Sequence, residues 1–348
     1  MDQLLADYQT LHQIPEEGFC EFQTQEYILN RLSKLSCKIH KVNPMGIIAF
    51  FNCNCQKTIA FRAEMDALPI KEKTGLAFAS KNPDFMHACG HDGNMSVLLA
   101  VCDYLSNTFT NVNVACIFQP SEESYGGSLA ILADSFFQAL NIAEIYAIHF
   151  WPKLAYGKAF SKDGELLAAS TEVDIKFIGK NVHIADYQEG IDAIQTAAIF
   201  LSSLEKAANI IVNFGVIEGK GKRNIICNKV NLYGSVRSLN NQDMTNYLEY
   251  INMLAFQACR TTSAKTIVEI RKTPTVKNSY ELFQRNNLYE CEAFFQSDDF
   301  GYYTESIPAL YILIGTGDSP ALHSDMFYID FTLLEVAYKT IIDIIKKA

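Results

Sequence analysis

Between about Ala169 and Val276 the hydrophobic rhythm of the chain changes and then changes back, an interruption that constrains the fold more than any other feature. Before it, helix-like and strand-like segments alternate. Over Thr24–Leu35, Ile28, Arg31, Leu32 and Leu35 recur at three- and four-residue spacing, which predicts a helix. TIAFRAE (58–64), VNVACIF (112–118) and EIYAIH (144–149) read as strands, and NMSVLLAVCDYL (94–105) reads as a buried helix. Such alternation predicts a mostly parallel sheet flanked by helices.

Inside the interruption, TEVDIKFI (171–178) alternates, with Val173, Ile175 and Phe177 on one face. A helix over Ile191–Lys206, capped by Asp192, is expected to bury Ile194, Ala198, Leu201 and Leu204 as its stripe. Strands at 209–217 and 228–236, a helix at 242–258 and a strand at 266–272 follow. The order β-α-β-β-α-β is ferredoxin-like. The first rhythm then resumes with ALYILI (309–314) and a closing helix at 331–345. We therefore expect an α/β domain in two parts, 1–168 and 277–348, interrupted by an inserted ferredoxin-like α+β satellite, 169–276. The 348 residues suit two domains.

A formal net charge of −10 argues against nucleic acid or an anionic membrane as partner. The opening MDQLLADYQT lacks the basic and apolar regions of a signal peptide, and no run reaches the ~18–20 apolar residues of a membrane span. The ten cysteines are too scattered for a small disulfide scaffold, and Cys102 and Cys116 sit in apolar runs as core residues would. These features lead us to expect a reduced, cytoplasmic protein.

The metal-competent residues fall where an open α/β sheet builds its sites, at the carboxyl ends of strands. Asp66 follows the strand at 58–64, Glu122 and Glu123 follow 112–118, His149 ends 144–149, and His323 lies beyond 309–314. Cys89 and His91 lie on the loop into the buried helix. Singly, each has a bland reading, from an incidental Cys-x-His pair to a solvated Glu-Glu loop or a satisfied core histidine. Five loops delivering Cys, His, Glu, His and His to one edge make the joint coincidence untenable. Imidazole and thiolate suit zinc, cobalt or nickel, and carboxylate adds manganese. Two such ions can activate water and polarise a carbonyl. One glutamate of the pair can ligate while its neighbour moves protons.

The motifs LHQIPE (11–16), FRAEMDALPIKEKTG (61–75), MHACGHDG (86–93), FQPSEESYGG (118–127), IHFWPKLAYGK (148–158), SDDFGYY (297–303) and LHSDMF (322–327) together resemble the M20 metallopeptidase family, in its amidohydrolase branch. GKNVHIADYQEGIDAI (179–194) and NIICNKVNLYGSVRSLN (224–240) extend the resemblance through the satellite. It implies a dinuclear metallohydrolase catalytic domain, two divalent ions (zinc or manganese, with cobalt or nickel as alternatives), a small-molecule N-acyl amino acid as substrate, and a homodimer. By position it implies Cys89, His91, Glu123, His149 and His323 as metal ligands, Glu122 as general base and Asp66 as its acidic assistant. His183, Asn224 and Arg237 match substrate-binding positions, His183 one that reaches a dimer partner's site.

Departures accompany the match. Glu64 stands where the family has Asp, Asn94 where the branch has His, Tyr187 in place of proline, and NIIC in place of NVIP. The activity implied is hydrolysis of an N-acyl amino acid, with N-acetyldiaminopimelate, general aminoacylase and hippurate-type substrates all open. The rival reading is a catalytically silent amino-acid- or metal-binding protein on the same fold. A redox or thiol-metal role for Cys53-x-Cys55 is a third reading.

Overall fold

A computed structural model describes residues 2–348; Met1, where the first segment of the sequence division begins, lies outside them. The first part of the chain runs α1 (Asp2–His12), α2 (Phe22–Leu32), β1 (Lys38–Val42), β2 (Gly46–Phe51), β3 (Thr58–Glu64), α3 (His91–Ser106), β4 (Asn113–Gln119), α4 (Gly127–Ala133), α5 (Ser135–Ala139), β5 (Glu144–Trp151), β6 (Ala159–Ser161) and β7 (Gly164–Leu167). Next come β8 (Ala169–Ile178), α6 (Ala193–Ser202), β9 (Ile210–Gly219), β10 (Lys229–Ser238), α7 (Asn241–Thr262) and β11 (Lys265–Thr273). The chain closes with β12 (Val276–Asn278), α8 (Tyr280–Arg285), β13 (Tyr289–Glu290), α9 (Gly301–Thr304), β14 (Ala309–Gly315) and α10 (Phe331–Lys347).

Two compact units result. The first takes the chain through Leu166, then Val276–Glu292 and Asp298–Ala348; the second takes Leu167–Thr275 and Ala293–Ser297. The chain's brief return to the second unit at 293–297 has no counterpart in the sequence division. It is made by hydrogen bonds: the Ala168 N–H lies 3.0 Å from Phe294 O and 2.8 Å from Gln296 O.

The first unit is built on an eight-stranded sheet of order β1-β2-β4-β3-β5-β14-β6-β13. Its centre, β4-β3-β5-β14, is parallel. Every residue of β3, β4 and β14 is buried, as strands covered on both faces require, and this is why they read as continuous apolar runs. Parallel strands share one carboxyl edge, so the loops after β3, β4 and β14 and the end of β5 emerge together. Among the described residues no helix is long and apolar enough to cross a membrane.

The second unit is an antiparallel sheet of order β11-β8-β10-β9 with α6 and α7 supplying its core, including Phe200, Met244, Ile251 and Leu254. The strand order is that of the ferredoxin-like fold. The face of α6 differs from expectation. Asp192 does cap it, accepting from the Ile194 N–H at 2.8 Å, but the buried residues are Ala193, Thr196, Ala197 and Phe200, and Ile194 is 50% exposed. Small residues are needed there because α6 packs on α7, where the Thr196 and Thr262 hydroxyls lie 2.8 Å apart.

Candidate metal centre

Asp66 is fixed by its neighbours before it fixes anything else. The Met65 N–H donates to Gln119 O and the Ala67 N–H to Glu16 O, both at 2.8 Å. The fully buried Asp66 carboxylate then accepts the Glu122 N–H at 3.0 Å and the Glu123 N–H at 2.9 Å, one on each oxygen. Ser121, just before them, has φ 52°, a left-handed conformation unusual for serine. The loop after β4 is thus held in an uncommon backbone shape by a side chain from the loop after β3.

Cys89 and His91 flank Gly90, whose φ is 90° and where a Cβ would come within 3.0 Å of Ile329 and 3.2 Å of Phe327. Only glycine lets the chain turn there and bring both side chains to the same side of the start of α3. The His91 Nδ1 donates to Asp66 O at 2.9 Å and the His149 Nδ1 to Phe150 O at 2.9 Å. Each bond occupies Nδ1 and leaves Nε2 as the nitrogen placed to ligate, the arrangement a metal-binding imidazole needs. The His149 Nε2 lies 3.4 Å from Cys89 Sγ. His323, at φ 65°, donates its own N–H to Ala88 O and brings Nε2 to 3.2 Å from Glu123 Oε1.

The result is a set of overlapping donor groups. Cys89, His91 and His149 form one, Cys89, Glu123 and His323 another, and His91, Glu122 and Glu123 a third, each with ligand atoms within 4.8 Å of one another. Every metal ligand expected from the sequence, together with Glu122, is in this set. The residues fit a pair of divalent cations on two grounds. His91 Nε2 is buried with no hydrogen-bond partner, a costly state that a cation relieves. Glu64, Glu122, Asp298 and Asp299 further crowd carboxylates around the buried Arg62 guanidinium.

Proton affinities carry the same signature. Burial drives the Glu122 carboxyl well above the usual range, helped by Asp298 and Glu123. Burial also drives the Cys89 thiol up, with Glu123 and Glu122 adding to it, and holds His149 down. At His91 burial opposes charge, yet Asp66 and Glu64 outweigh it and push the ring up to about 10. The protein alone holds more negative charge here than it can settle, which is the electrostatic form of a cation site.

Beneath the donors lies a polar network to which the sequence reading gave no roles. Arg62 points its guanidinium at Glu64, at Asp299 Oδ1 (2.5 Å), at Asp298 Oδ2 (3.2 Å) and at Gln119 Oε1 (2.9 Å). Asp298, Asp299 and Glu122 form a further group whose carboxylate oxygens lie within 4.8 Å of one another. One signal was available: an arginine inside TIAFRAE, an otherwise apolar strand, has to find buried partners.

The substrate-binding candidates lie in the second unit. The exposed His183 caps the 3-10 turn Ile184–Glu189, its Nδ1 accepting from the Ala185 N–H at 3.2 Å. A backbone bridge pairs His183 with Ile225, and the Ile184 N–H donates to Asn224 O at 3.0 Å, so His183 and Asn224 are neighbours. Arg237 is near the far end of β10, donating to Ser297 Oγ at 2.8 Å and Phe295 O at 3.3 Å. Cys53 and Cys55 belong to none of the donor groups among the described residues; the Cys53 thiol lies 3.3 Å from the Thr110 hydroxyl.

Known proteins share both the sequence and the fold. The chain is 31% identical to the N-acetyldiaminopimelate deacetylase of Shouchella clausii (strain KSM-K16), over 93% of this chain and 92% of that one. It is also 31% identical to the protein of the same name from Leuconostoc citreum (strain KM20), over 95% and 92%. The crystal structure of the Bacillus subtilis YXEP protein, described as a dinuclear metal binding peptidase from the M20 family, superposes with a TM-score of 0.84. It is 26% identical, over 99% of this chain and 97% of that one. This chain is a hydrolase acting on amide bonds. With residues 60–347 matching its pattern, the chain belongs to peptidase family M20/M25/M40.

Proposed function

We propose that the protein removes the acyl group from an N-acyl amino acid, with N-acetyldiaminopimelate the favoured substrate because the relatives above carry that name. One observation carries the mechanism. The Glu122 carboxyl lies beside the donor set, Oε2 being 3.9 Å from His91 Nε2, while its backbone is pinned by Asp66. Burial raises its affinity for a proton, so as a carboxylate it is a strong enough base to take a proton from water and to hold it until the leaving amine accepts it. Cys89, His91, Glu123, His149 and His323 would hold the two ions. When bound, the metals supply Lewis acidity that acidifies water and polarises the acyl carbonyl.

In this reading water adds to the acyl carbon and Glu122 accepts its proton. The C–N bond then breaks and Glu122 returns the proton to the amine nitrogen, giving a carboxylate and a free amino acid. Asp66 keeps Glu122 and Glu123 in register throughout. Arg237 suits the substrate carboxylate, and His183, with Nδ1 an acceptor, has its proton on Nε2 for the acyl oxygen. Asn224 adds a further polar contact. We assign zinc or manganese to the site, with cobalt or nickel as substitutes.

We place the protein in the cytoplasm, where ten unpaired thiols stay reduced. A homodimer through the second unit is supported by β9, an edge strand that exposes Ile211, Val216 and Ile217. The test of function is hydrolysis of N-acetyldiaminopimelate, N-acetyl amino acids and hippurate by protein loaded with each metal, beside Glu122→Gln. Metal-dependent turnover that disappears in Glu122→Gln is expected. Tightly bound metal with no turnover on any substrate would leave a silent binding protein.

A further inference from the structure

Glu21 occupies the N-cap position of α2, where a side chain ordinarily accepts from the first free N–H groups of its helix, yet it makes no such bond. Glu16 does that work instead, its two oxygens accepting from the Gln23 N–H at 3.0 Å and the Thr24 N–H at 2.9 Å. Glu21 is thereby released, and its fully buried carboxylate turns to Ser121, accepting that N–H at 2.8 Å across a hundred residues of sequence.

Ser121, Glu122 and Glu123 therefore present three successive N–H groups, and all three go to buried carboxylates from other segments: the first to Glu21, the next two to Asp66. The segment carrying Glu21 presses directly on this loop, since a Cβ on Gly18 would stand 2.7 Å from Ser121 Oγ. Ser121 holds its left-handed backbone in that contact. A backbone shape that a serine rarely adopts persists only where its surroundings over-determine it. Among the described residues, Glu21 supplies the one polar restraint on the Ser121 N–H.

We propose that Glu21 is a positioning residue for the reaction, one that fixes the Ser121 turn and through it aims Glu122 and Glu123 without touching substrate. The proposal rests on the roles given above to Glu122 and Glu123. A misplacement of about 1 Å at a reacting group can lower a rate about a hundredfold.

The test compares wild type with Glu21→Met, which fills the space without accepting a hydrogen bond, and Glu21→Gln, which keeps an accepting oxygen. The measurements are kcat, KM, the thermal midpoint and the visible absorption spectrum of the cobalt-loaded protein, which reports the surroundings of Glu123. We expect Glu21→Met to lose about 10–100-fold in kcat with KM within about threefold, and to shift the cobalt spectrum. Glu21→Gln should return both to near wild type. Should Glu21→Met not fold, Glu21→Asp, which keeps the charge but shortens the reach, takes its place with the same expectation. Wild-type kcat and cobalt spectrum in Glu21→Met, or a loss that Glu21→Gln does not restore, would overturn the proposal. If wild type hydrolyses none of the N-acyl amino acids, the function proposed above fails, and the cobalt spectra alone still decide the part played by Glu21.

Discussion

Asn94 donates its side-chain Nδ2 to Glu64 Oε2 at 2.8 Å, with both residues buried at the start of α3 and the end of β3. These are two of the positions at which the sequence departs from its family, Glu standing for Asp and Asn for His. Their contact couples the two positions: the longer acid reaches an amide smaller than a histidine ring. The other oxygen of Glu64 engages Arg62, so neither residue can change alone without leaving a buried polar group unpaired. Glu64→Asp and Asn94→His should each lower stability by about 1–3 kcal/mol, and the double variant should lose less than their sum by about 1 kcal/mol or more. A double-mutant cycle from urea denaturation measures the coupling; simple additivity would mean that the two sites adapted independently.

Asp66 bonds two consecutive amides with two oxygens and lies 3.6 Å from the His91 Nδ1, so it holds the loop after β4 and faces a metal-ligand candidate at once. Asp66→Asn presents an NH2 group to an N–H that needs an acceptor. Supporting groups around metal sites commonly change affinity or activity 10–100-fold. We expect kcat to fall by about that factor with KM little changed, measured at matched metal content. An equal loss confined to KM would point instead to a role in binding substrate.

His12, from the LHQIPE motif, ties α1 to the start of α3. Its Nδ1 lies 2.6 Å from Asp92 Oδ2 and its Nε2 3.2 Å from Glu72 Oε1. Burial opposes its charge, but Asp92 and Glu72 outweigh burial and push it from 6.5 up to about 9. Because the folded state binds this proton more tightly, its contribution is fully present below pH 6.5 and is lost as pH rises through 9. The span corresponds to about 3 kcal/mol. Urea unfolding followed from pH 6 to pH 10 should show stability falling across that window, and His12→Gln should flatten the slope. A wild-type profile as flat as that of the variant would show the imidazolium to be without consequence.

The parts legible in the sequence were those governed by local pattern. The parallel strands are buried on both faces and so spell themselves as apolar runs; because the chain always leaves them at one edge, Cys89, Glu123, His149 and His323 could be gathered without any contact being known. What stayed hidden depends on pairings far apart in sequence. Ile194 looked like core because it is apolar and in phase, but close helix packing favoured Ala193, Thr196 and Ala197. Glu21 carries no local signal, since nothing near it in sequence says that Glu16 takes the free N–H groups at the start of α2. Asp298 and Asp299 show no local sign of a shared partner until Arg62 is found beside them.

That last group gives a prediction with an internal control. The Arg62 guanidinium is buried among Glu64, Asp298 and Asp299, and burial with the neighbouring Asp298 already lifts Asp299 to about 6 despite the arginine. Arg62→Met keeps much of the volume and removes the charge, leaving carboxylates buried without a cation. Breaking a buried pair in this way costs about 3–5 kcal/mol. Without the guanidinium the carboxyls must bind protons more tightly in the folded state than in the unfolded one, where ordinary values near 4 apply. Stability conferred by those protons is lost as pH rises through the raised folded values, so the deficit should be larger at pH 7 than at pH 5. The measurement is urea denaturation of metal-stripped wild type and Arg62→Met at both values, since bound metal would add a pH dependence of its own. A deficit that does not change with pH would locate the arginine's worth in its hydrogen bonds and packing, with its charge contributing nothing.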